Sequence, residues 1–309
     1  MTTQTTFNKS AIAYLKQYTH HKPDAIFYKE TDTVYTYSVL YKTIISQANQ
    51  LLNQPDIRSV GIACKAGIHS FILLWAAVLS GKHCFIMSHY LSPEREAELC
   101  EQHTISVVLK TLTPSQNSCD TSNIDSAISA STNSTIHLFS SGSTGKAKCI
   151  VHRLQHFLIN ASVANKALSI NSESRYLLNL PCFHVSGLSI LFRSFLAGAC
   201  VIKDSDINRA IVTEKVTHMS CVERQLRELL TVGDNKHLEA ILLGGGPVHD
   251  SVLSQAIEKG FPLYLTYGMT ETCSQIAIAH HAKLTPGFTG RLQPHAKAKL
   301  SDTKELLIQ

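Results

Sequence analysis

The sequence predicts an α/β fold in which parallel-rich sheets are flanked by helices. Short apolar runs of strand length alternate with longer segments of helical periodicity, and that alternation is what βαβ units produce. The Gly- and Ser-rich segments fall just after those runs, where the strands of an open sheet end. With 309 residues the chain has room for one large domain or two smaller ones. A chain of this size buries roughly three quarters of its unfolded surface.

Residues 37–52 place Val39, Leu40, Ile44, Ala48, Leu51 and Leu52 at near-helical spacing. SVGIAC at 59–64 reads as a short buried strand. Residues 68–79 predict a mostly apolar helix closed by Gly81. A second strand follows at 84–87. Ser92-Pro93-Glu94 then starts a helix, with serine as the cap and proline in the first turn. Residues 111–135 are rich in Ser, Thr and Asn and predict a loop, either a subdomain boundary or an ordinary surface excursion. Beyond it come a strand at 136–139 and a helix at 152–168. That helix carries Leu154, Phe157, Leu158, Ala161, Ala164 and Leu168 on one face. Strands at 176–180, 200–203, 216–220, 240–243 and 261–266 complete the alternation. No fixed-period repeat is present.

Composition excludes several classes of function. Lys plus Arg number 28 against 23 Asp plus Glu, and the net charge of +5 is scattered rather than gathered into a basic stripe. A nucleic-acid module is therefore not expected. The strongest apolar stretch, 71–79, is far shorter than the ~20 residues a membrane-spanning helix needs, so no membrane insertion is expected. The start, MTTQTTFNKS, lacks the basic and apolar regions of a signal peptide. Nine dispersed cysteines without a CxxC pair give a zinc site little support and read as reduced thiols of a cytoplasmic protein. Nothing in the sequence sets an oligomeric state.

The chemistry concentrates in four segments. The first is Ser140-Ser141-Gly142-Ser143-Thr144-Gly145-Lys146-Ala147-Lys148, between a predicted strand and a predicted helix. Its glycines permit tight turns, its hydroxyls and amides can surround phosphate oxygens, and its lysines add positive charge. It is not the common NTPase loop: Ser140 stands where the first Gly belongs, and Ala147 follows Lys146 where Ser or Thr is needed. The second is Gly244-Gly245-Gly246-Pro247, a tight turn or a place where backbone approaches a flat base. The third is Tyr267-Gly268-Met269-Thr270-Glu271, a glycine turn with a capping threonine or a ligand-binding turn. The fourth runs from Leu180 to Leu188, LPCFHVSGL, with Arg193 on the apolar helix beyond it. An arginine on such a helix needs a partner, because an unpaired buried charge is costly. A protein carboxylate, solvent or a carboxylate of a dicarboxylic substrate would each serve.

Together these segments resemble the adenylate-forming superfamily of acyl-CoA synthetases. The first is similar to the family's phosphate loop, [ST]-S-G-[ST]-T-G-x-P-K-G, with Ala147 for the proline and Cys149 for the last glycine. Neither change removes a side chain that does chemistry. The third matches Y-G-x-T-E, the second resembles the glycine segment against adenine, and the fourth resembles L-P-x-F-H-x-S-G of the acyl pocket. FHVSGLSILFRSFLAGA and YGMTETCSQI look most like the o-succinylbenzoate–CoA ligases of menaquinone biosynthesis.

The resemblance implies an ATP-dependent acid–CoA ligase using ATP, Mg²⁺ and CoA on a small-molecule carboxylic acid. It implies phosphate contacts from Ser140, Ser141, Gly142, Ser143, Thr144, Gly145 and Lys148. Gly244, Gly245, Gly246, Pro247 and Tyr267 would meet adenine, and Gly268 would belong to the same nucleotide site. Thr270 would meet the α-phosphate and Glu271 the metal. His184, Ser186, Gly187 and Arg193 would line the acyl site, with Lys148, His184, Thr270 and Glu271 acting in catalysis. The implied organisation is an N-terminal α/β subdomain at 1–134, a second at 135–280 holding the adenylate site, and the start of a β-subdomain at 281–309. The family's mobile C-terminal lid and its lysine would lie outside this chain, which would then turn over poorly alone. The alternatives are a catalytically impaired adenylate-binding remnant and an aryl-acid adenylating domain that does not use CoA.

Overall fold

The computed structural model describes residues 11–114, 134–140, 148–231, 236–280 and 290–308. In chain order the first elements are α1 (Ala11–His21), β1 (Ile26–Glu30), β2 (Thr33–Thr36), α2 (Tyr37–Leu52), β3 (Ser59–Ile62), α3 (Gly67–Leu79), β4 (His83–Ile86), α4 (Pro93–Gln102), β5 (Val107–Leu109), β6 (Ile136–Ser140) and β7 (Lys148–His152). They are followed by α5 (Leu154–Leu168), β8 (Arg175–Leu177), α6 (Val185–Ala197), β9 (Cys200–Ile202), α7 (Ile207–Thr213), β10 (His218–Cys221), α8 (Glu223–Leu229), β11 (Ala240–Leu243), α9 (Asp250–Glu258) and β12 (Leu263–Met269). A 3₁₀ turn at Thr270–Thr272 then leads to β13 (Ser274–His280), β14 (Arg291–Leu292), β15 (Ala298–Leu300) and β16 (Leu306–Ile308). The described residues divide into two compact units, one within Met1–Tyr28, Val34–Leu158 and Pro181–Leu188, the other within Lys29–Thr33, Ile159–Leu180 and Ser189–Gln309.

The first unit is built on a five-stranded sheet in the order β5-β3-β4-β6-β7. The pairs β3/β4, β3/β5 and β4/β6 are parallel, and β6/β7 is antiparallel. Helix α3 is buried along the whole of Phe71–Leu79 because its sequence is apolar on every side. Phe71 stacks on Phe27 at 5.6 Å, and Phe27 meets Tyr37 edge-on at 5.2 Å. The Thr36 hydroxyl caps α2 by accepting from the Val39 amide at 3.2 Å. Ser92 does the same for α4 at Arg95 (3.3 Å), with Pro93 in the first turn as the sequence predicts.

The second unit is built on strands in the order β14-β13-β12-β11-β10-β8-β9, with the tip of the β1/β2 hairpin, Lys29–Thr33. Strands β8 to β12 pair in parallel, and β13 turns back antiparallel to both β12 and β14. Its core gathers Leu177, Ile202, Met219, Leu226, Ile241 and Leu263 between sheet and helices. No helix among the described residues is long and apolar enough to cross a membrane.

Two expectations need correction. The Ser140–Lys148 segment does not lead directly into a helix. Its far end is the start of β7, which pairs back onto β6 with Lys148 opposite Ser140, and α5 begins only at Leu154. Cys149, Ile150 and Val151 suit an edge strand, and helical periodicity hid them because Val151 continues the apolar spacing of α5. The division at 134/135 also does not coincide with the sheets. β6 pairs in parallel with β4, so the phosphate-loop strands join the first unit's sheet. A polar stretch signals a connection and not which sheet the next strand enters.

Candidate active site

In the second unit, β11 and β12 run side by side with Ile241 opposite Leu263 and Leu243 opposite Leu265. Their carboxyl ends therefore present Gly244–Pro247 and Tyr267–Glu271 together, where open α/β sheets collect ligands. Packing separates the glycines into two kinds. A Cβ at Gly244 would stand 2.4 Å from Thr266 Oγ1, and one at Gly268 only 2.1 Å from Ser274 O. Both are demanded by neighbouring strands. A Cβ at Gly246 would meet nothing within 4 Å, so its open side is free for a ligand. The segment's far end is fixed by Glu223, which accepts from the His249 amide at 2.9 Å and faces its Nδ1 at 3.0 Å. These bonds from His249, with a third from Arg227, hold the Glu223 carboxyl far down, at about 2.

Tyr267 is exposed at the end of β12. A bulge between Tyr267 and Gly268 then turns the chain into the Thr270–Thr272 turn. The Thr272 hydroxyl accepts from the Met269 amide at 2.9 Å and lies 2.7 Å from Ser274 O, closing the turn on itself. Beyond it Cys273 and Ser274 both have positive φ, 53° and 94°. Backbone of this kind costs of order 1–3 kcal/mol per residue and persists only where its surroundings hold it. Thr270 is half-buried and Glu271 exposed. Mg²⁺ takes one or two carboxylates together with substrate phosphate oxygens, and the exposed Glu271 carboxylate fits that requirement. Among the described residues no three His, Cys, Asp or Glu side chains converge into a metal cage.

Arg193 is 1% exposed. Its Nη1 donates to Tyr176 Oη at 3.2 Å and Ser220 Oγ at 3.4 Å. Its Nη2 donates to Ser274 Oγ at 3.3 Å and to Gln275 Oε1. None of these is a carboxylate, and no ion-pair partner for Arg193 occurs among the described residues. Its Nε and the Gln275 amide nitrogen are buried without hydrogen-bond partners. The second unit thus holds a buried, uncompensated cation beside the β13 end of the turn.

In the first unit Ser140 and Lys148 face one another across β6 and β7. Ser141, Gly142, Ser143, Thr144 and Gly145 lie outside the described residues. His184 heads α6: its carbonyl accepts from Leu188 N at 3.3 Å, and its own amide donates to Pro181 O at 3.1 Å. Ser186 and Gly187 occupy the first turn. Loss of water around the His184 imidazole lowers its pKa. Its ring tilts against Phe183 at 4.6 Å, and Phe183 meets His89 at 5.7 Å and the exposed Tyr90 at 6.1 Å. Sequence reasoning did not single out Tyr176, Ser220, Ser274, Gln275, His89 or Tyr90. Their relevance comes from long-range contacts, for which the only local sign was that Arg193 required partners.

A family profile described as AMP-binding enzyme matches residues 15–308, and the chain belongs to that family. It is 38% identical over 159 residues to a 2-succinylbenzoate–CoA ligase of Bacillus subtilis, an alignment covering 49% of this chain and 32% of the relative. That alignment thus spans about a third of the ligase's length. Among solved structures it is similar to the O-succinylbenzoate coenzyme A synthetase of Bacillus subtilis in complex with AMP. The TM-score is 0.80 at 25% identity, covering 95% of this chain and 84% of that one. The same synthetase with ATP and magnesium ion superposes with a TM-score of 0.79 at 25% identity, over 95% of this chain and 68% of that one.

Proposed function

We propose that this chain carries the adenylate-forming site of an ATP-dependent acid–CoA ligase whose acid is 2-succinylbenzoate. The observation that carries the reading furthest is the Arg193 guanidinium, buried among neutral partners beside the Thr270–Glu271 turn. A substrate with a second carboxylate would supply the missing anion. A carboxylate is a poor electrophile, so it is first activated. One of its oxygens attacks the α-phosphorus of ATP, the bond to the bridging oxygen breaks, and pyrophosphate leaves. The CoA thiolate then attacks the acyl carbon and AMP departs with the bonding pair.

Little covalent chemistry falls to the protein, so its residues act by position and charge. In this reading Tyr267 stacks on adenine, and Gly244–Pro247 let the backbone lie against it. Thr270 donates to the α-phosphate, and Glu271 holds Mg²⁺, which neutralises phosphate charge when bound. Ser140, Lys148 and the residues between them hold the β- and γ-phosphates. His184, Ser186 and Gly187 border the acyl group, and the lowered pKa of His184 keeps the imidazole neutral near pH 7. A cytoplasmic setting fits the free state of every described cysteine.

Calorimetric titration with a non-hydrolysable succinylbenzoyl-adenylate mimic, beside the benzoyl mimic lacking the second carboxylate, tests this reading. The succinylbenzoyl compound should bind about tenfold tighter or better, and Arg193→Met should erase that preference. Equal affinities in the unmodified chain would overturn the substrate assignment.

A further inference from the structure

We propose that Ser274 and Gln275 are positioning residues that couple the Arg193 guanidinium to the Thr270–Glu271 turn, so that an anionic acid and a nucleotide bind cooperatively. The inference rests on the functional reading above and specifies how its two ligands influence one another.

One guanidinium nitrogen, Nη2, donates to both Ser274 and Gln275, the two residues that open β13. The other, Nη1, is anchored on β8 and β10 through Tyr176 and Ser220, which also bond each other at 2.8 Å. Arg193 therefore ties the flank of the turn to the centre of the sheet. The turn itself has little slack. Thr272 Oγ1 reaches Ser274 O at 2.7 Å, and the Gly268 Cα leaves no room for a Cβ against Ser274 O or Gln275 Cα. A shift of Ser274 must then move Thr272, and with it Thr270 and Glu271 on the same single turn. Cys273 and Ser274, both at positive φ, form the segment that their surroundings must hold in place.

The clamp is incomplete in hydrogen-bonding terms. Arg193 Nε and Gln275 Nε2 are buried donors without acceptors, and the guanidinium lacks a counter-charge among the described residues. An arriving carboxylate supplies both, fixes the guanidinium, and through Nη2 fixes Ser274 and Gln275. The turn then has less freedom left to lose when a nucleotide binds, which is positive coupling. By linkage the nucleotide must raise acid affinity by the same factor.

The experiment is a pair of titrations on the 309-residue chain. α,β-Methylene-ATP with Mg²⁺ is titrated with and without saturating 2-succinylbenzoate. This analogue cannot release pyrophosphate, so only binding is read. The acid should tighten nucleotide binding about fivefold or more. Ser274→Ala should cut that factor to about twofold or less. The isosteric Gln275→Glu, which gives Arg193 a permanent anion, should bring it to one while nucleotide binding persists. Unchanged far-UV circular dichroism shows that the variants fold, and a purely structural role would not move the ratio of the two affinities. Independent binding of both probes to the unmodified chain overturns the coupling and leaves the functional reading standing. Retention of the full factor in both variants also overturns it. A chain that binds neither probe overturns both the coupling and the functional reading.

Discussion

Gly268 and Gly246 are only 22 positions apart in sequence, but a methyl group would meet different fates at the two. At Gly268 it would stand 2.1 Å from Ser274 O, against backbone that cannot swing aside. Gly268→Ala should therefore destabilise the chain by about 1–3 kcal/mol in urea denaturation, as overpacking does, and should loosen the turn as well. At Gly246 it would meet nothing within 4 Å. Gly246→Ala should leave the urea midpoint nearly unchanged and weaken only ATP binding, measured by calorimetry. Equal stability losses at the two sites would contradict this division. The sequence alone marked both residues as places where backbone needs freedom, and that much was legible. It could not separate a glycine required by a neighbouring strand from one left open to a ligand, because Ser274 meets Gly268 only after β13 folds back. Arg193 was legible as a charge in need of partners. Tyr176, Ser220 and Gln275 were not, since they arrive from three different strands.

Strands β4, β6 and β7 carry a line of polar contacts on one sheet. His83 Nδ1 lies 2.6 Å from Thr135 Oγ1, which lies 2.7 Å from His137 Nε2, and Cys149 Sγ lies 3.5 Å from His137 Nδ1. Phe85 stacks on His137 at 4.0 Å. Burial, with the nearby His83 and His103, pushes the His137 imidazole down to about 4. The unfolded chain takes up this proton near pH 6.5, whereas the folded chain resists until about 4. In that window the unfolded state binds more protons, so stability falls as the pH drops from about 6.5 to about 4 and is then flat with respect to this group. His137→Gln should make the decline of melting temperature across that window shallower, and an unchanged slope would contradict the assignment. The same three strands show how far element patterns reach. The helix at 37–52 and the strand at 240–243 were legible because each carries its own periodicity. Strand β7 was not, because an edge strand of five residues owes its pairing to β6 across the loop. β1, β2 and β5 escaped for a related reason: short strands contain too few residues to set a period, and distant partners decide them.

Alternation of strand and helix was enough to announce the α/β class, yet it did not assign strands to sheets. The nine-stranded sheet takes β1 and β2 from the start of the chain and seats them beyond β9, and β6, with β7 beside it, joins β4 rather than the strands from β8 onward. Each of the two larger sheets nevertheless carries its own buried thiol. Cys84 on β4 is fully buried, Cys221 on β10 is 2% exposed, and burial pushes both thiols up to about 12. Only the thiolate is nucleophilic, so each is protected twice, by the lack of access and by the lack of charge. Among the described cysteines Cys100 and Cys149 are half-buried and should react with iodoacetamide at pH 8 before Cys84 and Cys221 do. Peptide mass spectrometry across a urea series should then show Cys84 labelled only when the first unit opens and Cys221 only when the second does. Rapid alkylation of either thiol in buffer alone would mean that the sheet around it is not closed. Because opening precedes labelling, the extent of modification at each thiol follows the population in which its unit is open. The two thiols thus read the stability of each sheet separately within one chain, and Cys221, whose carbonyl accepts from Gly244 N at 3.2 Å, does so directly beneath the glycine segment of the candidate site.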